Sequence, residues 1–429
     1  MRLLIGGSPC TYWSCAQTKN REIEASGLGW ELFLNYCIAK DKFKPDFFLY
    51  ENNKSMSDAI RTQITQMLGV EPICINSARV SAQNRMRLYW VGRMESDGTY
   101  SQVHIEQPED RGIMLKDILE SGVCWREKAN TMDANYFKGG NLSHLEKQSG
   151  KRLMVAEPVG VGFRNRREDD GKLYRRYETH GEQKSNALTT VQTDSMVAEP
   201  LYVKEQNDLY EQISFLESAQ DNIYAVPAGM AWRGHAAHGN PSSFEMRKDG
   251  KSNAVIVGHQ NRLVIEESNG KTTPVYEVKD GYIEIKGRKY PIKLADGLYI
   301  IRKLSVVECM RLQTVPESYD FPVSDCQAYK MLGNGWTVEV IKHLMSHMEG
   351  IKTEPLDVLS MYDGMACGHI ALDGLGANIS SYYATEIDKF AIKTATHNFR
   401  DIVELGDAFQ VRDEDWTLPE SKNEEKESA

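Results

Sequence analysis

In the first 110 positions, short apolar runs alternate with amphipathic stretches: MRLLIGG, a segment around Trp30 to Ala39, DFFLYEN, IRTQITQMLG, EPICINS and RLYWVG. Strand-like runs alternating with helical periodicity predict a doubly wound α/β half-sheet. From 111 to 300, Gly, Asn and charged residues are frequent, the apolar runs are short, and long helical patterns are few. This predicts a separate, smaller β-rich module. From Ile301 helical text returns in RKLSVVECMRL and TVEVIKHLMSHM. After the short linker EGIKTEP, LDVLSMYDG and SYYATEIDKFAIKTATHNF predict a strand, turn, helix, strand, helix series. The chain is thus expected to divide at 1–110, 111–300, 301–349 and 350–417, with 418–429 as a disordered acidic tail.

Length and composition add bounds. A chain of 429 residues with 41% hydrophobic content exceeds one typical domain and can bury a large core. No stretch approaches the ~20 apolar residues of a membrane span, and the N-terminus lacks a long apolar region, so a cytoplasmic protein is expected. The eight cysteines form no CxxC pair, and few His residues lie near them at ligand spacing. Neither a metal nor a disulfide framework is expected.

The net charge of −10 is unpromising for a nucleic-acid partner, but the charge is uneven. Negative residues gather from Asp413 to Glu427, while Arg164, Arg166, Arg167, Lys172, Arg175 and Arg176 form a basic cluster. That cluster is either a solvated loop or a phosphate contact. Lys128-Ala129-Asn130-Thr131, Lys184-Ser185-Asn186-Ala187 and Lys251-Ser252-Asn253-Ala254 repeat a pattern, and MVAEP occurs at Met154 and again at Met196. Such duplication serves architecture, or presents Lys and Asn repeatedly to a polymer.

Candidate chemistry lies at the ends of the predicted strands, where open α/β sheets bind ligands. In LLIGGSPCTYWS, glycines permit close backbone approach, Pro9 stiffens the loop and Cys10 supplies a thiol. Taken alone, a buried structural cysteine is the better explanation of this motif. FFLYENN ends in Glu51-Asn52, and SAQNRMRLYW contributes Gln83, Arg85 and Arg87. An ion pair would account for any one of these.

In this order the set resembles the active-site sequence of the DNA cytosine-C5 methyltransferases. Gly6-Gly7-Ser8-Pro9-Cys10 is similar to motif IV of that family, Glu51-Asn52 to motif VI and Gln83-Asn84-Arg85-Met86-Arg87 to motif VIII. RKLSVVECMRLQTVPESY resembles motif IX and Gly333-Asn334-Gly335-Trp336-Thr337 motif X. Tyr362-Asp363-Gly364-Met365-Ala366-Cys367-Gly368 resembles motif I, Glu386 stands for motif II and Asp407 for motif III. The family's usual order places I to III first, so the resemblance implies a circularly permuted Rossmann-like methyltransferase sheet with a target-recognition domain inserted at 111–300.

It further implies S-adenosylmethionine as cofactor and double-stranded DNA as partner. Cys10 would add to cytosine C6, Glu51 would bond N3 and the exocyclic amino group, Arg87 would donate to O2, and Arg85 would brace the site or a phosphate. Gly364 and Gly368 would admit the methionine part, with Asp363 in the same turn and Tyr362 as an aromatic face near the sulfonium. Glu386 would bond the ribose hydroxyls and Asp407 the adenine amino group, Ile387 and Trp336 would give apolar walls, and Asn334 would line the same site. Ser8, Pro9, Asn52, Gln83, Arg164, Arg166 and Arg167 are expected to face DNA, whose target base must be flipped out. Thr11 after Cys10, Asn53 after Glu51-Asn52, and Met365-Ala366-Cys367 in motif I depart from the commonest pattern. Trp336 and the Tyr-Asp-Gly form of motif I are closer to animal de novo DNA methyltransferases. An RNA cytosine methyltransferase and a catalytically inactive DNA-binding paralogue are the alternatives. Restriction modification, epigenetic marking and viral genome protection all fit.

Overall fold

The computed structural model describes residues 1–14, 21–124, 126–138, 153–158, 272–285 and 288–419, and between 161 and 267 the strands named below. It divides into two units, Met1–Ile118 with Glu127–Lys138 and Ser305–Ala429, and Leu119–Arg126 with Gly139–Leu304.

The first unit opens with β1 (Arg2–Gly6), whose Leu3, Leu4 and Ile5 are fully buried, as expected of a strand covered on both faces. Helix α1 (Gly27–Phe43) returns the chain to β2 (Phe47–Asn53), buried along its whole length. Helix α2 (Asp58–Leu68) starts where the Ser57 side chain accepts from the Ile60 N–H, and stops at Gly69, whose φ of 76° suits a residue without Cβ. Then come β3 (Ile73–Asn76), β4 (Gln83–Asn84), β5 (Met86–Met94), β6 (Tyr100–Gln102) and β7 (Ala129–Asn130).

The second unit carries β8 (Met154–Pro158), β9 (Val161–Arg167), β10 (Leu173–Thr179), β11 (Ile223–Val226), β12 (Met230–Arg233), β13 (Ser243–Met246), β14 (Val264–Glu267), β15 (Thr272–Lys279), β16 (Tyr282–Ile285), β17 (Arg288–Pro291) and β18 (Gly297–Lys303). Every pairing among them is antiparallel, and Ala156, Val278, Ile283, Ile292 and Tyr299 form a small core. The expected β-rich character is therefore present.

The boundaries differ from the expected 111–300. Residues 127–138 belong to the first unit, because β7 pairs with β4 and the Lys128 ammonium donates to the carbonyls of Ala78 and Ser81. Lys128 of the first KAN copy is therefore spent on neighbouring backbone. The other two copies, and the second MVAEP, lie outside the described residues. At the far boundary Ile301–Lys303, expected to begin a helix, finish β18. Helix α3 (Val306–Leu312) starts only after Ser305, whose side chain and Glu308 cap each other's backbone N–H groups.

The chain returns to the first unit through α3, α4 (Asp325–Asn334) and α5 (Val338–Met345). It then adds β19 (Pro355–Met361), α6 (Cys367–Leu375), β20 (Asn378–Thr385), α7 (Lys389–Asn398) and β21 (Ile402–Gly406). Among the described residues the sheet has the order β21-β20-β19-β1-β2-β5-β3, with β6 on β5. The five strands from β21 to β2 are parallel, and β5 is antiparallel to both β2 and β3.

The connections run in opposite directions from the centre: β19 leads through α6 to β20 on one side, and β1 through α1 to β2 on the other. This makes the crevice between β19 and β1 the switch point at which doubly wound sheets hold ligands. Trp30, Phe33 and Tyr36 of α1 pack with Tyr50 and Trp90 in the core on one side of the sheet. No helix of the described residues is long and apolar enough to cross a membrane, and no metal-competent cluster of His, Cys, Asp and Glu occurs among them.

Candidate active site

The parallel strands end together at Gly6, Asn53, Met361, Thr385 and Gly406. Cys10, Tyr362, Asp363, Gly364, Glu386 and Asp407 follow these ends, and Glu51 and Asn52 are among the last residues of β2. Cys10 opens a short 3-10 turn, Cys10–Tyr12, just past β1; its side chain lies outside what the structure describes. Burial pushes the Cys367 and Cys37 thiols up to about 12, which leaves both poor nucleophiles.

Glu51, buried on β2, accepts from two donors. The Nε of Arg87 lies 3.0 Å from its Oε1, and the indole Nε1 of Trp336 donates to its Oε2 at 3.0 Å. The β2–β5 register pairs Asn53 with Arg87, which brings the guanidinium back to Glu51. Gly7 is required beside them: a Cβ there would stand 2.9 Å from the Glu51 carbonyl oxygen and 3.0 Å from its Oε2.

Arg85 is 3% exposed and donates to the carbonyls of Met132, Gly333 and Gly335 at 3.2, 3.4 and 2.8 Å. Of the two roles expected for it, these contacts are those of a brace. Three residues expected to face DNA are likewise internal. The Ser8 hydroxyl is bonded to the Tyr50 hydroxyl at 2.7 Å, and Asn52 Nδ2 donates to the Ser8 carbonyl at 3.2 Å. Gln83 accepts from the Met132 N–H at 2.9 Å and donates to the Leu312 carbonyl. All three are buried, with these polar groups spent on holding neighbouring loops. Pro9 is exposed. Arg164, Arg166 and Arg167 lie on β9, where the backbone of Arg164 pairs with Arg176 and that of Arg166 with Tyr174; their side chains are outside the described set.

Across the crevice, the turn after β19 is left-handed at Tyr362, Gly364 and Ala366, with φ of 62°, 61° and 59°. Open space surrounds the place where a Gly364 Cβ would be, and the Gly364 N–H donates to Glu386 Oε2 at 2.9 Å. Glu386 Oε1 accepts from the N–H groups of Ile387 and Asp388. Ile387 is 75% exposed, an apolar side chain held in solvent beside that carboxylate. Tyr362 donates to the Leu32 carbonyl, exposed Asp407 caps the turn after β21, and Asn334 is exposed at the end of α4. Gly368 departs from expectation. A Cβ there would stand 2.2 Å from Ile5 Cδ1, so this glycine lets α6 pack on β1, and no ligand fits on that side of it.

Sequence reading did not single out Glu404 on β21. Both its carboxyl oxygens are buried without a partner, and burial together with the charges of Asp363 and Glu386 pushes its pKa up to about 7. Asp363 accepts from Ser360 and Tyr382, retains an unpartnered buried Oδ2, and is raised to about 6 by burial. Three carboxyls thus meet at three neighbouring strand ends around an open turn. Unpartnered acceptors, a ribose-type carboxylate and an exposed apolar wall fit a cationic nucleoside such as S-adenosylmethionine. Only the glutamate's position inside VELGD, three residues before Asp407, could have signalled it.

The arrangement is that of a doubly wound α/β sheet consistent with a methyltransferase fold, with a carboxylate-lined turn on one side of the switch point and a clamped carboxylate on the other. The sequence model of the C-5 cytosine-specific DNA methylase family matches residues 1–350, and the chain belongs to that family. Type II methyltransferase M.HpaII of Haemophilus parainfluenzae is 36% identical over 112 residues, 25% of this chain and 27% of that protein. Type II methyltransferase M.DsaV of Dactylococcopsis salina is 34% identical over 101 residues, 21% and 28% of the two chains. Orphan methyltransferase M.SPRI of Bacillus phage SPR is 22% identical over 389 residues, 81% of this chain and 82% of that one. The first two matches thus span less than a third of those relatives.

Proposed function

We propose that the protein methylates C5 of cytosine in double-stranded DNA, with S-adenosylmethionine as donor, through a covalent adduct on Cys10. The observation that carries the reading is Glu51 held between Arg87 and Trp336 at the end of β2, beside the loop that leads to Cys10. Cytosine C5 is a weak nucleophile. Addition of the Cys10 thiolate to C6 places an electron pair on the ring, and Glu51, as a carboxylic acid that shares its proton with N3 while its other oxygen accepts from the exocyclic amino group, stabilises that charge. Arg87 has further N–H groups for the base O2 beyond the one on Glu51. S-adenosylmethionine, when bound, supplies an electrophilic methyl group on a sulfonium. Glu386, Ile387, Asp407 and the Tyr362–Gly364 turn would hold it. Loss of the C5 proton to a water molecule at the site then expels the Cys10 thiolate, Glu51 takes its proton back from N3, and the base is freed.

The same reading takes the chain as circularly permuted. The supporting observation is spatial: permutation requires the segment after β21 to pass close to the start of β1, and Trp416–Leu418 line a cavity of about 340 Å³ together with Arg2. The second unit would serve as the recognition domain that grips the opened duplex, with the β9–β10 arginines on phosphate. The family match favours DNA over RNA as the polymer. Incubation of random-sequence duplex with the cofactor, followed by bisulfite sequencing, should reveal 5-methylcytosine in a fixed sequence context. Methylation of tRNA without methylation of duplex would move the activity to RNA, and neither product would overturn the reading.

A further inference from the structure

The Gly333–Thr337 loop is fixed from several directions, and Trp336 stands at its tip. The carbonyl of Gly335 accepts from Arg85 at 2.8 Å and from Gln313 Nε2 at 3.4 Å. On the other side of Trp336, the Thr337 hydroxyl donates to Gln313 Oε1 at 3.0 Å and meets the Ser77 hydroxyl at 2.9 Å. A Cβ on Gly335 would stand 3.2 Å from Cys367 Sγ, so the loop also rests on the start of α6. An indole mounted between two such anchored neighbours has little freedom to turn away. Its one N–H is committed to Glu51 Oε2. The absence of a side chain at Gly7 is what permits the contact, since a Cβ there would lie 3.5 Å from Trp336 Nε1 and 3.0 Å from Glu51 Oε2.

We infer that Trp336 is a positioning residue for Glu51: its indole N–H fixes the carboxylate that activates the base, in addition to any contact its ring makes with a cofactor. The inference rests on the activity proposed above. Arg87 and Trp336 take one oxygen each, so the carboxylate plane is set before a base arrives. The two donors differ in one respect. Arg87 can redirect N–H groups to an incoming pyrimidine, whereas Trp336 has no second donor and keeps Glu51 in register while that happens.

The test compares wild type with W336F, which keeps an aromatic ring and removes the N–H, and W336H, which returns an N–H at similar reach. Methyl transfer to duplex is measured under saturation with each substrate, and melting temperatures are recorded alongside. W336F should lose roughly thirtyfold in kcat, about one charge-assisted hydrogen bond, while KM for S-adenosylmethionine stays within about twofold. W336H should recover much of the loss. A W336F enzyme with wild-type kcat, or one whose loss is confined to KM for the cofactor, would make the indole a wall only and overturn the inference. If W336F melts below the assay temperature, W336H alone decides: a folded W336H with kcat within a few-fold of wild type supports the N–H role, and a folded W336H with a roughly thirtyfold loss refutes it. A wild-type protein that methylates no polymer overturns the parent activity itself.

Discussion

Replacing Arg85 by methionine separates two roles that the sequence leaves open. The methionine fills similar space and removes every donor. The carbonyls of Met132, Gly333 and Gly335 then lose their guanidinium partner in a site that is 3% exposed. Gly335 keeps the Gln313 Nε2 donor, while the carbonyls of Met132 and Gly333 are orphaned; each orphaned buried acceptor costs about 1–3 kcal/mol, and relaxation or an entering water recovers part of it. A net loss of about 3–5 kcal/mol follows, comparable to breaking a buried ion pair and large against the usual stability of a domain. Urea unfolding should show the midpoint falling with its slope unchanged. Lysine, with a compact ammonium that reaches fewer carbonyls, should recover about half. DNA affinity measured against salt should keep its slope. A methionine variant within about 1 kcal/mol of wild type, with the salt slope reduced by about 0.9, would make Arg85 a phosphate contact and refute the brace.

Other outcomes follow from the same geometry. Glu404 and Asp363 have folded-state pKa values above their ordinary ones, so the folded protein holds their protons more tightly, and stability falls as pH rises from about 4.5 through about 7. Thermal melts of E404Q should therefore gain on wild type between pH 5 and pH 8, by about 1–2 kcal/mol after allowance for partial solvent access; a gain independent of pH contradicts the burial argument. G368A drives a Cβ into Ile5 and should lose about 1–3 kcal/mol of stability, with S-adenosylmethionine affinity measured by calorimetry little changed. Replacing Arg164, Arg166 and Arg167 together by alanine should weaken duplex binding and lower its salt slope, and an unchanged slope removes β9 from the interface.

Strand-end chemistry was legible because an open sheet gathers the carboxyl ends of its strands at one edge. Cys10, Tyr362, Glu386 and Asp407 follow β1, β19, β20 and β21, and Glu51 lies near the end of β2, as the apolar runs foretold. The direction in which a side chain turns was not legible. Ser8, Asn52 and Gln83 sit in the same short motifs as the reactive residues, and only packing sends them inward to Tyr50, the loop carbonyls and Met132. Long-range partners were equally hidden. Trp336 meets Glu51 across 285 positions, a contact decided by the fold and not by any local pattern. The boundary at 111 failed for a related reason: Lys128–Thr131 resembles the other repeats, yet its backbone pairs with β4.

The central claim is a covalent bond from Cys10 to the target base. It is tested most directly with a duplex carrying 5-fluorocytosine at the methylated position, incubated with S-adenosylmethionine and digested for mass spectrometry. Fluorine cannot leave as the C5 proton does, so the adduct should accumulate on the Cys10 peptide and vanish in C10S. An adduct on another residue, or methyl transfer that survives C10S, would contradict the account.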